Sequence, residues 1–128
     1  MFKTTLTFAM ALAGLLLLLV PAFSQMDIEF LDDPAFTSDE RPPAVFKHDE
    51  HNEIAELFDC AVCHHYYEDG ELVEGMDSIG IPCADCHPAE DPDGDQPALM
   101  QAYHGQCKGC HEEQAKGPIT CGECHPRR

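Results

Sequence analysis

Apolar residues are spread very unevenly along this 128-residue chain. Leu6 to Val20 is almost uninterrupted hydrocarbon, with five consecutive leucines, a lysine before it (Lys3) and Pro21-Ala22-Phe23-Ser24 after it. A basic start, an apolar run below the ~20 residues a bilayer-spanning helix needs and a small-residue Ala-x-Ser site have the form of a secretory leader. The leader is expected over residues 1–24, cut before Gln25. An uncleaved anchor is the competing reading.

Beyond the leader the apolar positions are few and short-ranged. Ile54, Leu57, Phe58 and Ala61 recur at helical spacing and predict a short helix over Glu50 to His64. Met100, Tyr103, His104 and Cys107 share a helical face, and Pro97 follows Asp95 as a start signal, so a second helix is expected over Pro97 to Cys107 despite Gly105. Ala44-Val45-Phe46 and Leu72-Val73 read as short strands, and Asp69-Gly70 as the turn of a small hairpin. Asp91-Pro92-Asp93-Gly94-Asp95 is turn-rich. Its alternating acids resemble a calcium loop, but the glycine comes two places early and no bidentate glutamate follows, so a solvated turn is the better reading. Met26 to Pro43 reads as a loosely attached acidic arm, giving an organisation of leader (1–24), N-terminal arm (25–44) and one domain (45–128).

The segment after the leader has nine prolines, no tryptophan and few large aliphatics, too little to build a hydrocarbon core. The eight cysteines explain how such a chain folds. They fall into four copies of one signature, Cys60-x-x-Cys63-His64, Cys83-x-x-Cys86-His87, Cys107-x-x-Cys110-His111 and Cys121-x-x-Cys124-His125, with none left over. Two thiols three positions apart can each form a thioether to a haem vinyl group, and the next residue places an imidazole under the iron. Four covalent haem c groups are the reading. Zinc ribbons and disulfides also use paired cysteines, but neither needs a histidine after every pair. The expected fold class is a multihaem cytochrome: a mostly irregular chain with a few short α-helices (all-α class) and a small β-hairpin, wrapped around a four-haem core. At a radius of gyration of ~13 Å the haems must lie close together. The porphyrins would supply the apolar surface that the polypeptide lacks, so the haem-free chain is expected not to fold.

Four histidines remain, His48, His51, His65 and His104, equal in number to the second axial positions of four irons. His65 adjoins His64 and cannot reach the far side of the same haem, so it is expected to serve a neighbour. His48 and His51, one turn apart, can reach two different haems. Met26, Met76 and Met100 are the competing donors; methionine raises a haem potential and histidine on both sides keeps it low.

The order of elements, Val45-Phe46-Lys47-His48-Asp49-Glu50-His51, then Cys60 to His65, a second attachment motif, the lone His104 and two final motifs, resembles the class III cytochromes c, the tetrahaem cytochrome c3 family. The likeness covers Val45 to His125. It implies low-potential electron carriage in anaerobic respiration between a hydrogenase or formate dehydrogenase type donor and a membrane redox complex. It also implies axial pairs: His64 with His48, His87 with His65, His111 with His51 and His125 with His104. Two features depart from familiar members. All four motifs have two intervening residues, where the second and fourth often have four. The chain is also strongly acidic, with six basic against twenty-four acidic side chains once Lys3 is removed.

That charge disfavours nucleic acid and anionic membranes as partners. It is also polarised: Lys108 to Arg128 has four basic and three acidic residues, while Met26 to Cys107 holds the other twenty-one acids against two bases. The third and fourth motifs are expected to mark the less negative pole, which would orient a redox partner. With every axial position filled the protein would exchange electrons and bind no substrate, so it is read as an electron-transfer protein of the periplasm and not an enzyme. The alternatives are a small reductase with one open iron, at His104 beside Gly105, acting on nitrite, a sulfur species or a metal ion, and a fixed subunit of a larger complex. No serine triad, phosphate loop or basic aromatic patch competes.

Overall fold

The computed structural model describes residues 28–38, 40–90 and 96–127. The leader, Met26 and the Asp91–Asp95 turn lie outside the described residues.

Regular structure is sparse and is laid out as β1 (Phe30–Leu31), β2 (Ala44–Val45), α1 (His48–Ala55), a 3-10 turn (Cys60–Val62), β3 (His65–Glu68), β4 (Glu71–Asp77), a second 3-10 turn (Cys83–Asp85), α2 (Leu99–Gln114) and α3 (Cys121–Cys124). Two antiparallel pairs stand apart. In one, Phe30 faces Val45 and Leu31 faces Ala44. In the other, His65 faces Asp77 and Glu68 faces Glu71, with a register irregularity between His65 and Tyr67. Asp69 (φ 50°) and Gly70 (φ 82°) both occupy the left-handed region that a two-residue hairpin turn demands.

The N-terminal arm is held, contrary to the loose attachment expected from its acidity. Backbone bonds from Phe46 N–H to the Glu29 carbonyl (2.9 Å) and from His48 N–H to the Ile28 carbonyl (3.0 Å) extend the β1–β2 pair up to α1. The Tyr103 hydroxyl donates to Asp33 Oδ2 (2.8 Å), joining the arm to α2 across seventy residues of sequence.

Both helices depart from their sequence-predicted bounds. α1 begins two residues early and stops at Glu56, which is left-handed (φ 56°), while Leu57 N–H turns back to the Asn52 carbonyl (2.9 Å). The apolar period that suggested a longer helix continues through this break, but Ile54 (75% exposed) and Phe58 (89%) pack on no polypeptide core. Asp59 instead caps a separate turn, accepting from Ala61 N–H (3.0 Å), so the first attachment motif is freed from the helix axis. α2, by contrast, runs seven residues past its expected end, through Gly105 and Gly109, and closes at Ala115 in the left-handed region. Its Leu99 is fully buried, the one hydrophobic residue in that class among the described residues.

Candidate functional site

The four attachment motifs share one local geometry. His64, His87 and His125 each send their backbone N–H to the carbonyl of the first cysteine of the motif, all at 2.8 Å. The third motif lies inside α2, where the same one-turn spacing is intrinsic. One turn therefore places both thiols and the imidazole together, as attachment to a single macrocycle requires. No cysteine is in a disulfide among the described residues. Nor do three or more of their His, Cys, Asp and Glu side chains converge as a zinc centre would require.

Thiols of different motifs crowd one another. Burial, then the neighbouring Cys63 and Cys124, pushes the Cys107 thiol up to about 11. Burial first and then Cys110, Cys60 and Cys83 raise Cys63. Cysteines of the first three motifs are thus near enough to influence one thiol.

Each motif histidine faces one of the other four. Ring centroids lie 6.4 Å apart for His48 and His64, 5.9 Å for His65 and His87, 6.1 Å for His51 and His111 and 6.3 Å for His104 and His125. Two imidazoles bound through Nε2 to one metal, with bonds of about 2.0–2.1 Å, have their centroids about 6.3 Å apart. The spacing suits an iron between each pair. Met76 and Met100 are half exposed, and Met26 is outside the described residues.

The hydrogen bonds identify which ring nitrogen of three motif histidines is left to bind a metal. His87 Nδ1 lies 2.9 Å from the Pro97 carbonyl, His111 Nδ1 2.7 Å from that of Pro118 and His125 Nδ1 2.6 Å from that of Pro42. A carbonyl has no proton to give, so each Nδ1 carries the hydrogen and donates, and Nε2 keeps the lone pair that a metal needs. Sequence reasoning missed these carbonyls. It also missed Gly117, where a Cβ would come within 2.6 Å of the His111 ring and where φ is +83°. The Gly117-Pro118 pair following α2 was the available signal.

Elements explain the remaining placements. His48 and His51 sit on α1, three apart, and the Phe46 ring lies near both, with centroids 6.0 and 5.0 Å away. His65 opens β3, stacks edge-on to Tyr67 (5.6 Å) and is held at the hairpin base by the Ser78 N–H bond to the His64 carbonyl (2.8 Å). Burial, then the nearby His87 and His64, lowers its pKa, so this ring favours the neutral form that binds metal. At the less negative pole, Lys108 is engaged by Glu112 (3.0 Å), so part of that pole's positive charge is internally matched.

The class III cytochrome c family model matches residues 27–125. This chain belongs to that family. It is 28% identical to cytochrome c3 of Desulfovibrio desulfuricans over 99 residues, covering 73% of this chain and 88% of the relative. It is 36% identical over 75 residues to the high-molecular-weight cytochrome c of Nitratidesulfovibrio vulgaris, covering 54% of this chain but 12% of that much longer protein. Among solved structures, the sixteen-haem cytochrome from Desulfovibrio gigas superposes with a TM-score of 0.52 at 24% identity, over 92% of this chain and 26% of that one, a likeness of fold. This class III cytochrome is thus a c-type multihaem electron-transfer protein. Class III cytochromes bind haem c covalently. The donor set fits that group: paired thiols on one turn, imidazoles turned by Nδ1 bonds and aromatic walls at Phe46 and Tyr67. No helix among the described residues is long and apolar enough to cross a membrane.

Proposed function

We propose that this class III cytochrome is a periplasmic, low-potential tetrahaem electron carrier with bis-histidine ligation at every iron. The observation that carries the reading is the set of four facing histidine pairs, each joining one motif histidine to one histidine from elsewhere, at 5.9 to 6.4 Å. When bound, each haem supplies an iron that accepts and releases one electron, at a potential set by ligands, burial and nearby charge. The chain's residues do the rest. Eight cysteines fix four macrocycles; His64, His87, His111 and His125 hold one face of each, and His48, His65, His51 and His104 hold the other. Imidazole on both sides keeps the potentials low and leaves no axial position for a substrate. The reductase alternative needs an open iron near His104, and the 6.3 Å approach of that ring to His125 supports closure instead.

Four haems held by so short a chain would lie within short transfer distances of one another. Electrons enter from a hydrogenase or formate dehydrogenase type donor and leave to a membrane redox complex, with the less negative pole around the third and fourth motifs orienting the encounter. Low-temperature electron paramagnetic resonance of the ferric holoprotein, with a haem count, tests the reading. Four haems that are all low-spin and inert to cyanide are expected. A high-spin signal, or fewer than four haems, overturns it.

A further inference from the structure

Two of the eight imidazoles have side-chain partners at Nδ1 in place of a proline carbonyl: His51, 3.5 Å from the Asn52 amide oxygen, and His48, whose partner is a carboxylate. His48 Nδ1 lies 2.8 Å from Asp49 Oδ1. On the other side of the ring, Asn52 Nδ2 lies 3.4 Å from Nε2. A carboxylate accepts, so Nδ1 keeps the proton and donates it in a hydrogen bond, and Nε2 holds the single lone pair; that lone pair serves either the Asn52 amide or an iron, so the amide gives way when the ring ligates. Asp49 is in the first turn of α1, where the helix dipole favours a negative charge. His64 faces this ring at 6.4 Å.

We infer that Asp49 is a positioning and tuning residue, which fixes His48 and lowers the reduction potential of the haem held between His48 and His64. The inference rests on the bis-histidine reading. A full negative charge polarises the ring N–H more than a carbonyl dipole does, and a more basic imidazole stabilises the ferric iron it binds. Reduction adds one electron to the iron; the proton stays on Nδ1 in both oxidation states, and no bond is broken. The first haem should therefore lie lower in potential than its ligands alone would set it. His125, His111 and His87, which donate to carbonyls, give their haems no such push.

The test is Asp49→Asn in the holoprotein, because asparagine keeps an oxygen acceptor and removes the charge. Redox potentiometry should show one of the four midpoint potentials rising by the equivalent of about a tenfold change in reduction equilibrium, about 59 mV for one electron. Tenfold matches the low end of the 10–100-fold change in metal affinity or activity that loss of an outer-shell partner of a metal-bound histidine usually brings. Solvent screening is the reason, since the Asp49 side chain is 73% exposed and that of His48 32%. Glu53→Gln removes a charge from the same helix without touching the ring and should move that potential much less. Asp49→Glu restores a carboxylate and should recover part of the shift. An unmoved potential in Asp49→Asn, or an equal shift in Glu53→Gln, overturns the role of Asp49. The spin state separates this from the ligation reading: a high-spin signal in the unmodified protein defeats the bis-histidine assignment, while low-spin spectra with unmoved potentials defeat the Asp49 inference alone.

Discussion

Tyr103→Phe removes the hydroxyl by which the acidic arm is fastened to α2, and with it the same hydroxyl's interaction with Cys83. The hydroxyl donates to Asp33 Oδ2 at 2.8 Å, while Asp33 Oδ1 accepts from Ala35 N–H at 2.9 Å and the Asp33 carbonyl accepts from Phe36 N–H at 3.1 Å. Burial, then the bond to Asp33, pushes the Tyr103 pKa well above the usual tyrosine range, so the side chain remains a neutral donor. A hydrogen bond to a charged group contributes about 1.5–3 kcal/mol. The site is only part-buried, so water replaces some of what phenylalanine removes, and about 1–2 kcal/mol is expected, reaching below that range. That corresponds to a roughly 5–30-fold rise in the population with the turn at Asp33 detached. Amide hydrogen exchange of the holoprotein reads it directly: Ala35 and Phe36 should lose protection by that factor, while amides of the β3–β4 hairpin keep theirs. Unchanged protection at Ala35 and Phe36 would show that the arm is held by β1 and β2 alone.

Three further outcomes follow from the same geometry. Gly117→Ala forces a Cβ to within 2.6 Å of the His111 ring at a backbone angle that alanine resists, and is expected to cost about 1–3 kcal/mol. Its signature is a perturbed ligand-field spectrum of one haem, and four unaltered haem spectra would count against the contact. Leu99→Ala empties the one fully buried hydrophobic position among the described residues and should lower unfolding free energy by about 2–5 kcal/mol in denaturant titration. A loss below about 1 kcal/mol would mean that this end of α2 is held elsewhere. Protein made without haem attachment should show no cooperative thermal transition by circular dichroism, because its large apolar side chains, Ile54 and Phe58 among them, have no polypeptide core to enter.

The chemistry was legible in the sequence because it is local. A Cys-x-x-Cys-His turn brings its own thiols and imidazole together within one turn, whatever surrounds it, and the Asp69-Gly70 hairpin is fixed by the φ > 0 that both residues tolerate. The family order of histidines gave the expected partners, and those same rings approach one another in space. Helix ends were less readable. The apolar period past Ala55 suggested more helix, yet that period signals a helix only when its face meets a protein core, and here Phe58 meets none. Conversely, α2 was expected to end at Cys107, yet it continues to Gln114 through Gly105 and Gly109, although each glycine carries a propensity cost of about 1 kcal/mol. The arm's attachment, the proline carbonyls that orient three imidazoles and the carboxylate on His48 were decided by tertiary structure. Two of them join residues far apart in the chain, Asp33 to Tyr103 and Pro42 to His125, while His87 to Pro97 and His111 to Pro118 span ten and seven residues. The Asp49 contact joins neighbours, yet whether a carboxylate turns toward a ring nitrogen or toward water depends on the direction in which the helix presents both side chains.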